Sequence, residues 1–226
     1  MTIKHIDSTD SLRLRKNEGV YERRETAIVR EQLKPGHVFV DVGAHIGYYS
    51  AMAAELVGTN GKVFAFEPNP TSYALLVKNT AQYGDIVNAY RFAVSDRNEK
   101  GCLYLNAKNS GDHRMLNPGR WSRVNVKVVR LDDVEALRDV SVDFMKIDVQ
   151  GAECGVLRGA AGLIGRSPGM RLIIEYAPAH LIQFGVKEGE FFDLLRDLGI
   201  VLRPYHRPLP RFAVKIGHCN LYGVRE

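Results

Sequence analysis

The sequence predicts an α/β fold in which a mostly parallel sheet carries helices on both faces. Two observations predict it. Short apolar runs rich in Val, Ile and Phe alternate along the chain with segments of helical period, the pattern of strands buried on both faces and joined by helical crossovers. The first of these runs, HVFVDVG, ends in an acid and a glycine, and in open sheets of this kind the ligand crevice lies at the carboxyl ends of the strands.

The elements follow in order. Residues 21–34 read as a helix that Pro35-Gly36 closes, and HVFVDVG is too short and too β-branched to be a second one, so it is the first central strand. A helix over 48–57, a turn at 59–61, the strand KVFAFE, a helix over 70–83 and a strand over 87–93 come next. The pattern then becomes less regular: a strand near 102–105, a polar loop over 106–120, and VNVKVV, whose alternation suits a half-exposed strand. The parallel pattern resumes with VDFMKIDV, a helix from about Ala152, the strand RLIIEY and a helix over 188–198. Two last strands, 200–205 and 219–224, are expected to pair antiparallel, and RPYHRPLPR between them is a turn or rim loop, because proline cannot donate to a ladder.

The 226 residues suit one domain, 1–226, with an N-terminal helical segment at 1–36 and a substrate-side insertion at 106–130. With 45% hydrophobic and 25% charged residues the composition is that of a soluble globular chain. Cys102, Cys154 and Cys219 make neither a disulfide framework nor a CxxC pair, which points to a reducing compartment. No run approaches the roughly 20 apolar residues of a membrane span, and MTIKHIDSTD lacks an apolar core, so the expected location is cytoplasmic, with no membrane partner. Six Lys or Arg between positions 108 and 130 face one acid, Asp112. That stretch is either a substrate surface or a solvated basic loop, and it is too little for nucleic acid.

In VFVDVGAHIGYYS the strand ends at Asp41, and Gly43 and Gly47 bracket a turn into a helix. A dinucleotide fingerprint needs a middle glycine where this chain has His45, which speaks against NAD. Asp41 also suits an ammonium-bearing ligand better than a polyphosphate, which it would repel. One strand later Glu67, followed by Pro68, places a carboxylate where an acid accepts the two hydroxyls of a ribose. Lys146, Asp148 and Glu153 surround the end of another central strand, with Asp148 expected in the crevice opposite Asp41 and Glu153 serving the first turn of its helix.

The motifs GVYERRET, PGHVFVDVGAHIGYYS, FAFEPNP, RFAVSD, SGDHR, RLDDV, FMKIDVQGAE and LIIEY, in that order over residues 19–185, resemble the FkbM family of methyltransferases. The resemblance implies a Rossmann-like class I methyltransferase fold: seven strands, mostly parallel, helices on both faces, and a C-terminal antiparallel strand. It implies S-adenosylmethionine as cofactor, released as S-adenosylhomocysteine. Carried over, Asp41, Gly43, Ala44 and Gly47 line the methionine side, Glu67 with Pro68 holds the ribose, Ala93 and Val94 border the adenine, and Glu22, Glu25 and Thr26 close over the methionyl end. Two positions depart from the family pattern: His45 stands where asparagine is usual, and Gln150 where glutamate is usual.

Methyl transfer from a sulfonium is an in-line displacement that needs alignment, and a base when the acceptor is a weakly acidic hydroxyl. Asp148, which also touches the cofactor side, and His113 are the candidate bases, and Glu175 is a candidate substrate residue. No spacing demands a metal. The expected reaction is O-methylation of a hydroxyl on a natural product or saccharide, the acceptor being small or carrier-borne and anionic, with a homo-oligomer allowed. N-methylation of an amide or amine, a non-catalytic cofactor-binding module and a nicotinamide dehydrogenase are the alternatives.

Overall fold

The computed structural model describes residues 21–187, 189–204 and 219–226. Helix α1 (Arg23–Gln32) leads into β1 (Val38–Val42), α2 (Tyr48–Val57), β2 (Lys62–Phe66), α3 (Pro70–Thr80) and β3 (Val87–Tyr90). The strands β4 (Phe92–Val94), β5 (Glu99–Leu105) and β6 (Ser122–Val129) follow. The chain continues through β7 (Phe144–Ile147), α4 (Glu153–Gly159), α5 (Ala161–Gly165), β8 (Arg171–Tyr176), α6 (Pro178–Gln183), α7 (Glu190–Asp197), β9 (Ile200–Leu202) and β10 (Cys219–Arg225).

Seven of the strands form one sheet in the order β3-β2-β1-β7-β8-β10-β9. Neighbours pair parallel from β3 to β8, and β10 runs antiparallel to both β8 and β9. The chain leaves β1 toward β2 on one side and returns with β7 on the other, so the strand order reverses between β1 and β7. A crevice opens at that reversal, at the carboxyl ends of the strands.

Strand residues alternate between the two faces, and the core divides accordingly. Val40, Val42, Met145, Ile147 and Leu172 pack with Leu157, Leu163, Ile164 and Phe191 from α4, α5 and α7. Phe39, Phe144 and Ile173 point the other way, onto Ile28, Val29, Met52 and Val57 from α1 and α2. The same alternation puts Asp41 and Lys146, opposite each other in register, on the α1–α2 side. At α3, Asn69 Oδ1 accepts from the N–H of Thr71 at 2.8 Å and Ser72 at 3.0 Å, with Pro70 next to the cap, so the helix starts three residues beyond Glu67, the acid that ends FAFE.

The strand expected over 87–93 is two. Tyr90 lies opposite Phe66, the last residue of β2, so the main sheet ends there. Phe92 then turns into a second, three-stranded sheet ordered β4-β6-β5, with β4 parallel and β5 antiparallel to β6. The helix expected from about Ala152 is likewise two, broken at Ala160, and α6 was not anticipated. The last two strands pair antiparallel as expected. Glu188 and the expected rim loop beyond Pro204 lie outside the described residues, as do residues 1–20 of the N-terminal segment. No helix among the described residues is long and apolar enough to cross a membrane.

Helix α4 sits directly on the loop after β4: a Cβ built on Gly159 would lie 1.9 Å from the carbonyl oxygen of Ser95. Alanine normally favours a helix over glycine, but overpacking reverses the sign here. Gly159→Ala is expected to lower stability by about 2 kcal/mol, read as a shift of the urea midpoint without change of slope.

Candidate active site

The crevice rests on a buried cation. Lys146 is 3% exposed, its Nζ donates to Asp148 Oδ2 at 2.9 Å, and it lies 4.9 Å from the centre of the Tyr49 ring. Burial opposes its charge, but the carboxylates of Asp148, Glu22 and Asp41 outweigh burial and hold the ammonium well above the usual lysine range. Asp41 is fully enclosed and accepts from Ser50 Oγ at 2.7 Å. Glu22, whose backbone is left-handed at φ 43, accepts from the Tyr49 hydroxyl at 2.8 Å. Burial raises the carboxyls of Asp41 and Glu22, and Lys146 moderates both.

A second network continues from Asp148. Gln150 Nε2 donates to Asp148 Oδ1 at 2.9 Å and to Glu175 Oε1 at 2.8 Å, so one amide joins the ends of β7 and β8. Behind it Glu153, at the start of α4, accepts from the N–H of Val149 and Gly151 at 3.2 and 3.1 Å. Burial, then the neighbouring charge of Glu175, raises the Glu153 carboxyl.

Above these networks lies a cavity that opens to solvent. Gly43, Glu67 and Pro68 line one side, and Asp148, Val149, Gln150 and Ala152 the other. Phe66, Phe92, Ala93, Val94 and Leu103 make an apolar end, and Tyr21 reaches in from the chain before α1. The roof comes from the connection between β5 and β6: Ser110, Gly111, His113 and Met115. His45 Nε2 lies 3.1 Å from Ser110 Oγ, which ties the glycine turn to that roof. His113 Nδ1 accepts from the N–H of Asn106 at 3.0 Å. Burial, then the nearby His45, lowers the His113 pKa.

Gly43 holds the turn at φ +84, and a Cβ there would lie 1.9 Å from the carbonyl oxygen of Asp148, so only glycine lets β1 and β7 close up. Glu67 is held just as firmly: its Oε1 accepts from Asn69 N–H at 2.8 Å and its Oε2 from His45 N–H at 2.9 Å. Burial lifts its carboxyl to about 7 against the pull of those two donors.

Of the residues expected from sequence, the structure brings Gly43, Glu67, Pro68, Ala93, Val94, His113 and Asp148 together around the cavity. Asp41 is one layer below, on the Lys146 side, because the strand's alternation turns it toward α2. Ala44 packs with Ala65 and Leu76, and Gly47 caps α2. Glu22 belongs to the charged floor. Thr26 Oγ1 donates to the Tyr21 carbonyl at 2.6 Å, and Glu25 accepts from Asn220 at 3.2 Å; neither lines the cavity. Glu175 is 1% exposed, behind Gln150. Sequence reasoning missed Tyr21, Phe92 and Met115 as walls, and treated His45 and Gln150 only as departures from a pattern. Among the described residues no group of three or more His, Cys, Asp or Glu is placed to hold a metal.

The profile of the Methyltransferase FkbM domain matches residues 41–202, which hold both the glycine turn and the β7–β8 network. The chain belongs to this family. Similar proteins include the hexuronic acid methyltransferase AglP of Haloferax volcanii, 28% identical over 146 residues. That match covers 61% of this chain and 56% of AglP, so the chain spans little more than half of that relative. The 31-O-demethyl-FK506 methyltransferase FkbM of Streptomyces tacrolimicus is 29% identical over 209 residues, with 79% and 78% covered. A TehB-like S-adenosylmethionine-dependent methyltransferase from Corynebacterium glutamicum shares the fold, with a TM-score of 0.55, 11% identity and 96% of each chain covered.

Removing the Lys146 ammonium leaves Asp41, Asp148 and Glu22 facing one another in a buried site. Lys146→Met is expected to cost about 3–5 kcal/mol at pH 8. The carboxyls of Asp41 and Glu22, already raised by burial, then rise further above their unfolded values, so protonation relieves the penalty and the deficit shrinks toward pH 5. Urea denaturation of both proteins at the two pH values measures the difference.

Proposed function

We propose that this chain is an S-adenosylmethionine-dependent O-methyltransferase acting on a hydroxyl of a saccharide or natural product. The observation that carries this reading is the placement of Glu67 and Asp148 on opposite sides of Gly43 in one cavity. Glu67 is fixed by two backbone N–H groups, yet each oxygen keeps a lone pair, so its carboxylate can accept both hydroxyls of a ribose. Phe66, Phe92, Ala93 and Val94 supply an apolar slot for adenine at the same end. Around Lys146 the carboxylates outnumber the cation, which favours a ligand that carries positive charge. When bound, the cofactor supplies an electrophilic methyl group on a cationic sulfur.

The chain's own residues then align and desolvate the acceptor. Asp148 is the cavity carboxylate placed to take the acceptor's proton, and Lys146 with Gln150 keeps it oriented. His113, with Nδ1 engaged, offers a donor rather than a base. Glu175 acts through Gln150 as a positioning residue. The 31-O in the name of one relative supports an oxygen acceptor, small or carrier-borne, and the hexuronic acid in the name of another supports a saccharide and an anionic one. Metal independence and a cytoplasmic location belong to the same proposal; the three free cysteines support the latter.

Two measurements test it. S-adenosylhomocysteine formation, assayed across uronic acids, neutral sugars and macrolide alcohols with chelator present, is expected with a hydroxyl acceptor; turnover of amines alone sinks the O-methyl assignment. Calorimetry is expected to show S-adenosylmethionine binding that tightens as pH rises from 6 to 8, up to about tenfold, because Glu67 must lose its proton to accept both ribose hydroxyls. Glu67→Gln is expected to bind weakly with no such pH dependence.

A further inference from the structure

Two cavity side chains have their hydrogen-bonding direction locked by partners within the protein. His113 Nδ1 is occupied by the N–H of Asn106, so in the neutral ring the proton resides on Nε2, and the cavity receives a donor only. Gln150 spends Nε2 on Asp148 and Glu175 at 2.9 and 2.8 Å. Turning the amide over would set its oxygen against two carboxylates, so the orientation is fixed. Among the described residues Gln150 Oε1 has no hydrogen-bond donor, and the residue lines the cavity, half-buried. Its backbone is held at φ 55 by the turn into Gly151, so the side chain leaves from a rigid base.

From these locks we infer that Gln150 and His113 read the methyl acceptor by opposite polarity: Gln150 Oε1 accepts from a hydroxyl beside the reacting one, while His113 Nε2–H donates to a ring, carbonyl or carboxylate oxygen. The acceptor that satisfies both, with the reacting hydroxyl at Asp148, is a vicinal diol bearing a further oxygen, the chemistry of a saccharide rather than of an isolated alcohol. This rests on the O-methyltransferase reading above. A lone alcohol would leave Gln150 Oε1 or His113 Nε2–H unpaired at a half-buried site, and sites built to hydrogen-bond a group discriminate strongly against analogues that lack it.

The charged groups that face Gln150 are Lys146 and Asp148 from β7 and its exit, Glu153 from α4 and Glu175 from β8; His180 of α6 packs against the adjacent Gly151. Gln150→Glu places a third carboxylate between two, and it can replace the amide only when it carries a proton, as donor to one neighbour with its carbonyl still an acceptor. Its kcat/KM is therefore expected to fall as pH rises from 6 to 8 relative to the parent protein, reaching a loss of about tenfold or more, while S-adenosylmethionine affinity stays within a few-fold. His113→Phe is expected to raise the acceptor KM without that pH signature.

The locks are tested without any acceptor, by nitrogen-15 NMR of the full chain free and with S-adenosylhomocysteine. His113 is expected as the Nε2–H tautomer, and the Gln150 side-chain amide, identified by its loss in Gln150→Glu, is expected to exchange slowly. An Nδ1–H tautomer, or an amide exchanging as fast as an exposed glutamine, overturns the inference. In the acceptor screen, methyl glucuronoside and methyl glucoside are set against cyclohexanol; turnover of cyclohexanol as efficient as that of the glycosides also overturns it. Failure of S-adenosylhomocysteine to bind would instead defeat the cofactor reading, and the spectra of the free chain would still decide the two locks.

Discussion

The site is organised around one ammonium group that water does not reach. Lys146 sits at the reversal point of the sheet with Asp41 beside it in register and with Asp148 and Glu22 close by. Removing any one carboxylate weakens the set, but removing the lysine leaves several negative charges with no counter-ion in low dielectric, which is the more costly change. The cluster also ties three separate pieces of chain together: the segment before α1 through Glu22, β1 through Asp41, and β7 through Lys146 and Asp148. A ligand that brings positive charge to this end completes a balance the protein leaves on the negative side.

Backbone geometry turns that floor into a binding site. The carbonyl of Asp148 lies where a side chain on Gly43 would be, so β1 and β7 approach as closely as two backbones can. The chain then passes through His45 at φ 50, and the N–H of this strained residue is one of the two that hold Glu67. Strain at His45 is thus compensated by a charge-assisted hydrogen bond to a buried carboxylate. The resulting Glu67 carboxyl, lifted by burial to about 7, is poised so that a small change in surroundings decides its charge.

The roof is built on different principles from the floor. It hangs from the second sheet, which begins where β2 ends at the Phe66–Tyr90 pair, and the rings of Phe66, Tyr90 and Phe92 stack across that break at 5.0 and 5.9 Å. Its connection is held by local side-chain bonds: Asn106 to Asp112, Asp112 to Arg114, and Arg114 across to Gln183 of α6. The basic character read from this stretch is therefore partly internal, since Arg114 pairs with Asp112 at 2.8 Å and stacks on Trp121. Floor residues belong to the strands of the main sheet, whereas roof residues belong to a connection, the kind of segment most free to vary.

Much of this was legible in the sequence, for physical reasons that can be named. Alternation of apolar runs and helical segments fixes the layered sheet, because each strand must bury both faces. The Asp-x-Gly turn and the strand-end Glu67 mark the crevice, because there apolar parallel strands end in polar atoms. The tertiary structure alone decided the rest. Asp41 reads as a ligand residue but lies beneath the cavity, since the period of two sends it to the α2 face. Thr26 and Glu25 read as a closing motif but bond to Tyr21 and Asn220. Gln150 reads as a lost acid, yet its side chain joins Asp148 to Glu175, residues 27 apart along the chain. Local sequence determines which face and which strand end a residue occupies; which partner then claims its hydrogen bonds depends on segments brought together only by the sheet.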